Sequence, residues 1–258
     1  VGTDRNEIDF TKLNEITEKI AKLNPSHIVN CGAYTQVDKA EEEIELANLI
    51  NAQAVGVIAK YAHEKQLPFV HISTDYVFDG TEINPYQEDH EVNPQSVYGK
   101  SKAQGEKETL EKNPLAYILR TAWVYGAYGN NFPKTIAKKL MNNESVNIVN
   151  DQIGAPTWTL DLALAIVEIL EKKSKPGIYH VTNSESCSWF EFAREIAKTL
   201  NLDENLVKPT DSKSFVRPAV RPKFSVLSNK KWQSAGLTPL RSWKDAWEKA
   251  APTVLVKL

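Results

Sequence analysis

The chain has 258 residues, 41% of them hydrophobic and 25% charged, with a formal net charge of −2. That length buries a sizeable core, as one large domain or a large and a small one, and the near-neutral balance offers no broad basic footprint for nucleic acid. No apolar run approaches the roughly 18 to 20 residues that span a bilayer, Val1-Gly2-Thr3-Asp4 shows no signal segment, and Cys31 and Cys187 match no metal or redox spacing. A cytoplasmic protein with two reduced thiols, no metal, no membrane and no nucleic-acid partner is expected.

In chain order, Thr11 to Leu23 predicts a helix closed by Asn24-Pro25. His27 to Asn30 predicts a strand that runs into the small-residue turn Cys31-Gly32-Ala33-Tyr34. Glu45 to Gln66 reads as one long helix, with Leu46, Leu49, Ile50, Ala54, Val57, Ile58 and Tyr61 on its core face. Phe69 to Ile72 is a buried strand that breaks into Ser73-Thr74-Asp75. A loop marked by Asp79-Gly80, Asn84-Pro85 and Asn93-Pro94 then leads to Tyr98-Gly99-Lys100-Ser101-Lys102 and the helical pattern Ala103 to Lys112. Further on, Ala116 to Leu119 predicts a strand ending in Arg120-Thr121-Ala122-Trp123, Phe132 to Met141 a helix and Val146 to Val149 a strand. Thr159 to Lys172 follows as a helix, Gly177 to Val181 as a strand, and Ser188 to Leu200 as a helix with a Ser188/Glu191 capping box. Asn229 to Ala235 and Ser242 to Lys249 are short helices. The strand–helix alternation is that of an α/β fold.

The chemistry concentrates between Phe69 and Lys102. Residues four apart share a helix face, so Tyr98 and Lys102 point into one cleft, and Thr74 ends a neighbouring strand. A phenol titrates near 10 unperturbed. An ammonium one turn away is expected to pull that value down and make Tyr98 a useful proton donor and acceptor, with the Thr74 hydroxyl bonding the same substrate oxygen. Taken alone, Tyr-x-x-x-Lys is more often a solvated helix face.

Four motifs change those odds. Ser73-Thr74-Asp75-Tyr76-Val77-Phe78-Asp79-Gly80 comes first, followed by Val97-Tyr98-Gly99-Lys100-Ser101-Lys102, Asp151-Gln152-Ile153-Gly154-Ala155-Pro156-Thr157 and Arg221-Pro222-Lys223-Phe224-Ser225-Val226-Leu227. Together they resemble the extended, nucleotide-sugar-modifying branch of the short-chain dehydrogenase/reductase family, and within it the dTDP-4-dehydrorhamnose reductases. The resemblance implies a Rossmann-like doubly wound parallel sheet with a smaller C-terminal α/β substrate-binding region. Residues 1–150 would form the NAD(P)-binding part and 151–258 mainly the substrate-binding part, the chain crossing between the two.

It further implies an NADPH- or NADH-dependent reduction of a dTDP-sugar ketone, with Thr74, Tyr98 and Lys102 catalytic. Asp9, Phe10, Gly32, Ala33 and Thr35 join Tyr98 and Lys102 around the cofactor. Val37, Thr74, Asp75, Trp123 and Arg221 face the substrate, Val37 within a Val37-Asp38-Lys39-Ala40-Glu41 stretch that matches the family beside its active site. Tight packing at Gly32 and Ala33, and a core-filling Trp123, are the plain alternatives. Asp4 and Arg5 leave NADH against NADPH open, and the residues leave a homodimer open. An epimerase or dehydratase of the same branch, or a non-enzymatic regulatory subunit, are the competing readings. Asp75 supplies the acid a dehydratase needs, while an intact Thr74, Tyr98 and Lys102 speaks against the subunit. A dinucleotide-binding fold is expected to open with a strand, a glycine-rich turn and a helix. The chain holds no such turn, so about 25 to 30 residues carrying it are expected ahead of Val1, and a polypeptide starting there is expected to bind NADPH poorly.

Overall fold

The computed structural model describes residues 1–256. Helix α1 (Leu13–Leu23) ends where Asn24 takes a left-handed φ of 45°. Strand β1 (Ile28–Asn30) follows, then α2 (Val37–Ala40). The long helix expected from Glu45 to Gln66 is interrupted: α3 (Ile44–Asn48) passes through a π-helical segment, Leu49–Gln53, before α4 (Ala54–Glu64). The extra residue in that turn rotates the buried face. Leu46, Leu49, Ile50, Val57 and Tyr61 are only half-buried, and Val55, Ala59 and Ala62 share the core with Ala54 and Ile58.

Strand β2 (Phe69–Thr74) reaches two residues beyond its apolar run and so includes Ser73 and Thr74. Helix α5 (Val97–Lys112) begins six residues earlier than the apolar pattern suggests, because the Ser96 side chain accepts the Gly99 N–H and caps it. Tyr98 and Lys102 therefore lie in its first two turns.

Next come β3 (Tyr117–Thr121), β4 (Val124–Tyr125), α6 (Phe132–Met141), capped by Asn131, and β5 (Val146–Val149). Short strands β6 (Ile153–Gly154) and β7 (Thr157–Trp158) lead to α7 (Thr159–Glu171) and β8 (Gly177–His180). The C-terminal part holds β9 (Cys187–Ser188), α8 (Trp189–Thr199) with its capping box, β10 (Val207–Thr210), α9 (Lys230–Ser234) and α10 (Trp243–Leu255). The last helix outruns its expected end at Lys249 and carries Pro252 within it.

The main sheet is parallel, in the order β1-β2-β3-β8. Its inner strands are covered on both faces, as all-parallel sheets require: Phe69 packs with α1 and α4, while Val70, Tyr117 and Leu119 pack with α7 and α9. Parallel pairing aligns Thr74 with Thr121, which brings two strand ends with hydroxyls to one edge of the sheet. A separate apolar core joins α6, α8 and α10 to the parallel pair β5–β10, with Phe192, Trp243 and Trp247 at its centre. Between the two, residues 222–228 thread past the loop after β2. Tyr86 N–H donates to Val226 O, Ser228 N–H to Tyr86 O, and Ile153 N–H to Lys223 O.

Candidate active site at the end of β2

The carboxyl end of a strand in an open α/β sheet is where ligands collect, and here β2 ends in three polar side chains with distinct environments. Ser73 turns inward and donates to Glu106 Oε1 at 2.5 Å. Thr74 caps the short 3-10 turn Asp75–Val77, its Oγ1 accepting the Tyr76 N–H at 3.2 Å and donating to Asp75 Oδ1 at 3.0 Å. Asp75 is buried, and burial pushes its carboxyl up to about 6 against hydrogen bonds from Ser225 and Thr74 that pull it down. Among the described residues, Asp75 Oδ2 and Thr121 Oγ1 are buried polar atoms with no hydrogen-bond partner. Such groups are rare enough to mark where a polar ligand would dock.

Tyr98 stands over this strand end, edge-to-face with Tyr76 at 5.6 Å between centroids. Burial raises its phenol to about 12, and a hydrogen-bonded contact with Thr74 pulls it partly back. The expected depression by Lys102 is therefore corrected. Lys102 Nζ is directed not at Tyr98 but at the Ile72 carbonyl, 2.6 Å away, and at His71 Nε2, 3.4 Å away. Lys102 itself is 2% exposed, and desolvation brings it down to about 8, while Glu106 and Cys31 act in the opposite sense.

Close packing sets this geometry. A Cβ on Gly105 would collide with the Asn51 carbonyl, so the glycine lets α5 lie directly on the π segment. The Asn51 side chain, wholly buried there, accepts the Tyr34 N–H at 2.8 Å and donates to Tyr34 O at 3.0 Å and Ser101 Oγ at 2.9 Å. It thus ties the turn after β1 to the helix carrying Tyr98 and Lys102. A π-helical turn at such a place fits the general link between π-bulges and functional sites. Asn51 was not singled out from the sequence, and neither were Asn30 and His71. Their signal was a polar side chain inside an otherwise apolar run.

The turn after β1 remains open. Cys31, Gly32 and Thr35 are exposed and Ala33 half-buried, with the Phe10 ring lying against the Gly32 backbone. Asp9 Oδ1 accepts both the Thr11 N–H and the Thr11 hydroxyl, which fixes the bend that delivers Phe10. An accessible backbone turn, a flat ring beside it and the buried Lys102 amine suit a nicotinamide dinucleotide.

Two of the residues expected on the substrate side have close partners within the chain. Arg221 is engaged bidentately by Asp38, at 2.7 and 2.8 Å, and also donates to Ala219 O. The pair joins the residues 219–221 to α2, whose first residue is the half-buried Val37. Trp123 has a φ of 48°, uncommon for a bulky residue. Its indole stacks on Trp189, with centroids 3.5 Å apart and planes within 7°, and lies against Gly154, where a Cβ would strike it. Trp123 is thus half-buried at the margin of the C-terminal core, and Trp189 belongs to the same wall.

Beneath the site lies a buried ion pair. Arg120 donates to Glu106 at 2.9 and 2.7 Å and approaches His180 and the Glu88 carbonyl. Among the described residues no group of His, Cys, Asp and Glu could hold a metal ion, and no helix is long and apolar enough to cross a membrane.

Comparison with known proteins places this geometry. A "probable dTDP-4,6-dihydroxy-2-methyloxan-3-one 4-ketoreductase" of Streptomyces antibioticus is 40% identical over 249 residues, 96% of this chain and 84% of that protein. A dTDP-4-dehydrorhamnose reductase of Streptomyces griseus is 39% identical over 255 residues, 97% of this chain and 84% of that protein. A crystal structure of dTDP-4-dehydrorhamnose reductase from Bacillus anthracis in complex with NADP superposes with a TM-score of 0.93 at 37% identity, covering 97% of this chain and 88% of that one. The RmlD substrate binding domain family matches residues 1–255, and the chain belongs to that family.

Proposed function

We propose that the protein reduces the 4-keto group of dTDP-4-dehydro-L-rhamnose to give dTDP-L-rhamnose, with NADPH, or NADH, as reductant. The observation that carries the reading is the convergence of the Thr74 and Tyr98 hydroxyls at the end of β2, with Lys102 buried behind them. The relatives' names and the NADP of the Bacillus anthracis structure support the substrate and cofactor. The nicotinamide supplies the hydride when bound. Asp9, Phe10, Gly32, Ala33, Thr35 and Lys102 are the residues proposed to hold it.

The chain's own work is proton placement. At neutral pH a phenol held near 12 is protonated, which is the form a reduction needs. Tyr98 gives that proton to the substrate oxygen as charge develops on it, and the Thr74 hydroxyl steadies the same oxygen. Burial at this strand end strengthens both interactions. Asp75 Oδ2 and Thr121 Oγ1 offer unfilled partners for sugar hydroxyls. Trp123, braced by Trp189, presents an apolar edge to the sugar. Arg221, held by Asp38, is proposed to meet the diphosphate, and Val37 lines the approach.

The proposed division is a cofactor-binding part over residues 1–150 and a mainly substrate-binding part over 151–258, and pairing of β8 with β3 and of β5 with β10 supports the chain's crossing between them. A cytoplasmic enzyme, with a homodimer as its proposed assembly, completes the reading. One observation favours a second reading: a carboxyl held near 6 beside Thr74 is the acid a dehydratase would use. The full-length protein mixed with NADPH and the keto sugar distinguishes them. Loss of reduced nicotinamide matched mole for mole by the 4-hydroxy sugar supports the reductase. Sugar consumed without net loss of NADPH supports the dehydratase and ends the first reading.

A further inference from the structure

Four groups run inward from the end of β1 to α5: the Gly32 N–H, Asn30, His71 and Lys102. Their donors and acceptors can be counted. The Gly32 N–H donates to Asn30 Oδ1 at 3.0 Å. A backbone N–H can only donate, so it fixes the amide with Oδ1 toward Gly32 and Nδ2 toward His71 Nδ1, 3.1 Å away. A donating Nδ2 requires a bare Nδ1. His71 is wholly buried, and burial keeps the ring neutral by lowering its proton affinity well below the ordinary value. Its single proton is therefore on Nε2, and Nε2 faces Lys102 Nζ at 3.4 Å. An ammonium has three donors and no acceptor, whereas a neutral amine has a lone pair to receive this N–H.

The alternative fails the same count. To accept from an ammonium, His71 must carry its proton on Nδ1, and the Asn30 amide must turn its oxygen inward. That leaves the Gly32 N–H facing Nδ2, donor against donor, and the hydrogen bond between them is lost. The arrangement that satisfies every group is Gly32 N–H to Asn30, Asn30 to His71, and His71 Nε2–H to the amine of Lys102, which in turn donates to Ile72 O.

We infer that Asn30 and His71 are positioning residues that fix the Nε2–H tautomer of His71 and thereby hold Lys102 toward its neutral amine. The inference rests on the reductase reading only for the use made of Lys102, and its proton count stands without it. Other groups that face Lys102 are Glu106, one turn along α5, and Cys31, at the end of β1. Both favour the ammonium, so the tautomer acts with burial and against these two.

The test is nitrogen-15 and carbon-13 NMR on the full-length protein with labelled histidine and lysine. Lys102 is expected to titrate near 8, and native His71 to show a protonated Nε2 and a bare Nδ1 at pH 9, where that amine is neutral. Asn30→Asp can accept from Gly32 but cannot donate to His71. It is expected to move the ring proton to Nδ1 and raise Lys102 toward the ordinary lysine value of about 10.4. An Nδ1–H tautomer in the native protein at that pH, or an Asn30→Asp protein whose Lys102 does not move upward, overturns the inference. The native tautomer needs no variant, so the test survives a poorly folding Asn30→Asp. Because neither readout depends on turnover, its failure is distinct from failure of the reductase reading.

Discussion

At Asp75 burial and hydrogen bonding pull the carboxyl in opposite directions, and burial prevails at about 6. The sign of the consequence follows from linkage. The folded value lies above the unfolded one of about 3.9, so its contribution to stability is fully present below pH 4 and is lost as pH rises through 6. Asp75→Asn, which cannot ionise, should gain on the native protein by up to about 3 kcal/mol between pH 4 and pH 7. Urea unfolding at the two pH values reads this, and an unchanged difference would contradict it. Trp123→Ala is expected to raise KM for the sugar. It should also cost stability below the roughly 3 to 5 kcal/mol of a fully buried tryptophan, since the ring is half-buried and loses one stack. Thermal unfolding measured beside kinetics checks both. That Tyr98 and Lys102 share one helix was legible because their spacing is local, whereas Thr74, 24 positions upstream of Tyr98, was joined to them by the motif resemblance. The ion pair of Arg221 with Asp38 was not legible, because those residues are 183 positions apart. Nor was the partner of Lys102, which the spacing pointed toward Tyr98 and burial turned toward Ile72 and His71.

At the scale of elements, α5 is placed by what it lacks. Gly105 removes the side chain that would hold the helix off the π segment. Gly105→Ala must push α5 away from Asn51, at a cost of about 1 to 3 kcal/mol for overpacking. It should lower turnover as well, because Tyr98 and Lys102 move with the helix. A denaturation midpoint and a turnover number both unchanged would sink this account of the contact. The strand–helix alternation was readable from apolar periodicity alone. The π turn was not, because one inserted residue shifts the buried face without changing composition, and Asn51 between Ile50 and Ala52 was its only trace. The early start of α5 was hidden too. Its first turns carry polar functional residues, so the apolar pattern begins only after them.

Across the whole molecule, two apolar cores meet at a polar seam, and the site lies there. The seam is anchored by Arg120 and Glu106, both nearly inaccessible, with Ser73 on the same carboxylate and Glu88 accepting the His180 N–H at 3.0 Å. Three strands and α5 thus share one buried ion pair. Glu106→Gln should cost about 3 to 5 kcal/mol by leaving Arg120 buried without its counter-charge, which denaturant unfolding would show, and a loss under 1 kcal/mol would contradict the anchoring role. The parallel sheet was expected from the sequence, since buried apolar strands alternating with helices have few other arrangements. How the C-terminal segments divide between sheet and second core was not, because those pairings join residues about 60 positions apart. The central claim is that Tyr98 delivers the proton to a carbonyl at the end of β2. It is tested most directly by comparing full-length native and Tyr98→Phe proteins for keto-sugar-dependent NADPH oxidation, with cofactor binding measured on both. The account predicts equal binding and turnover lower by roughly 10²- to 10⁴-fold in the variant; near-native turnover in Tyr98→Phe would contradict it.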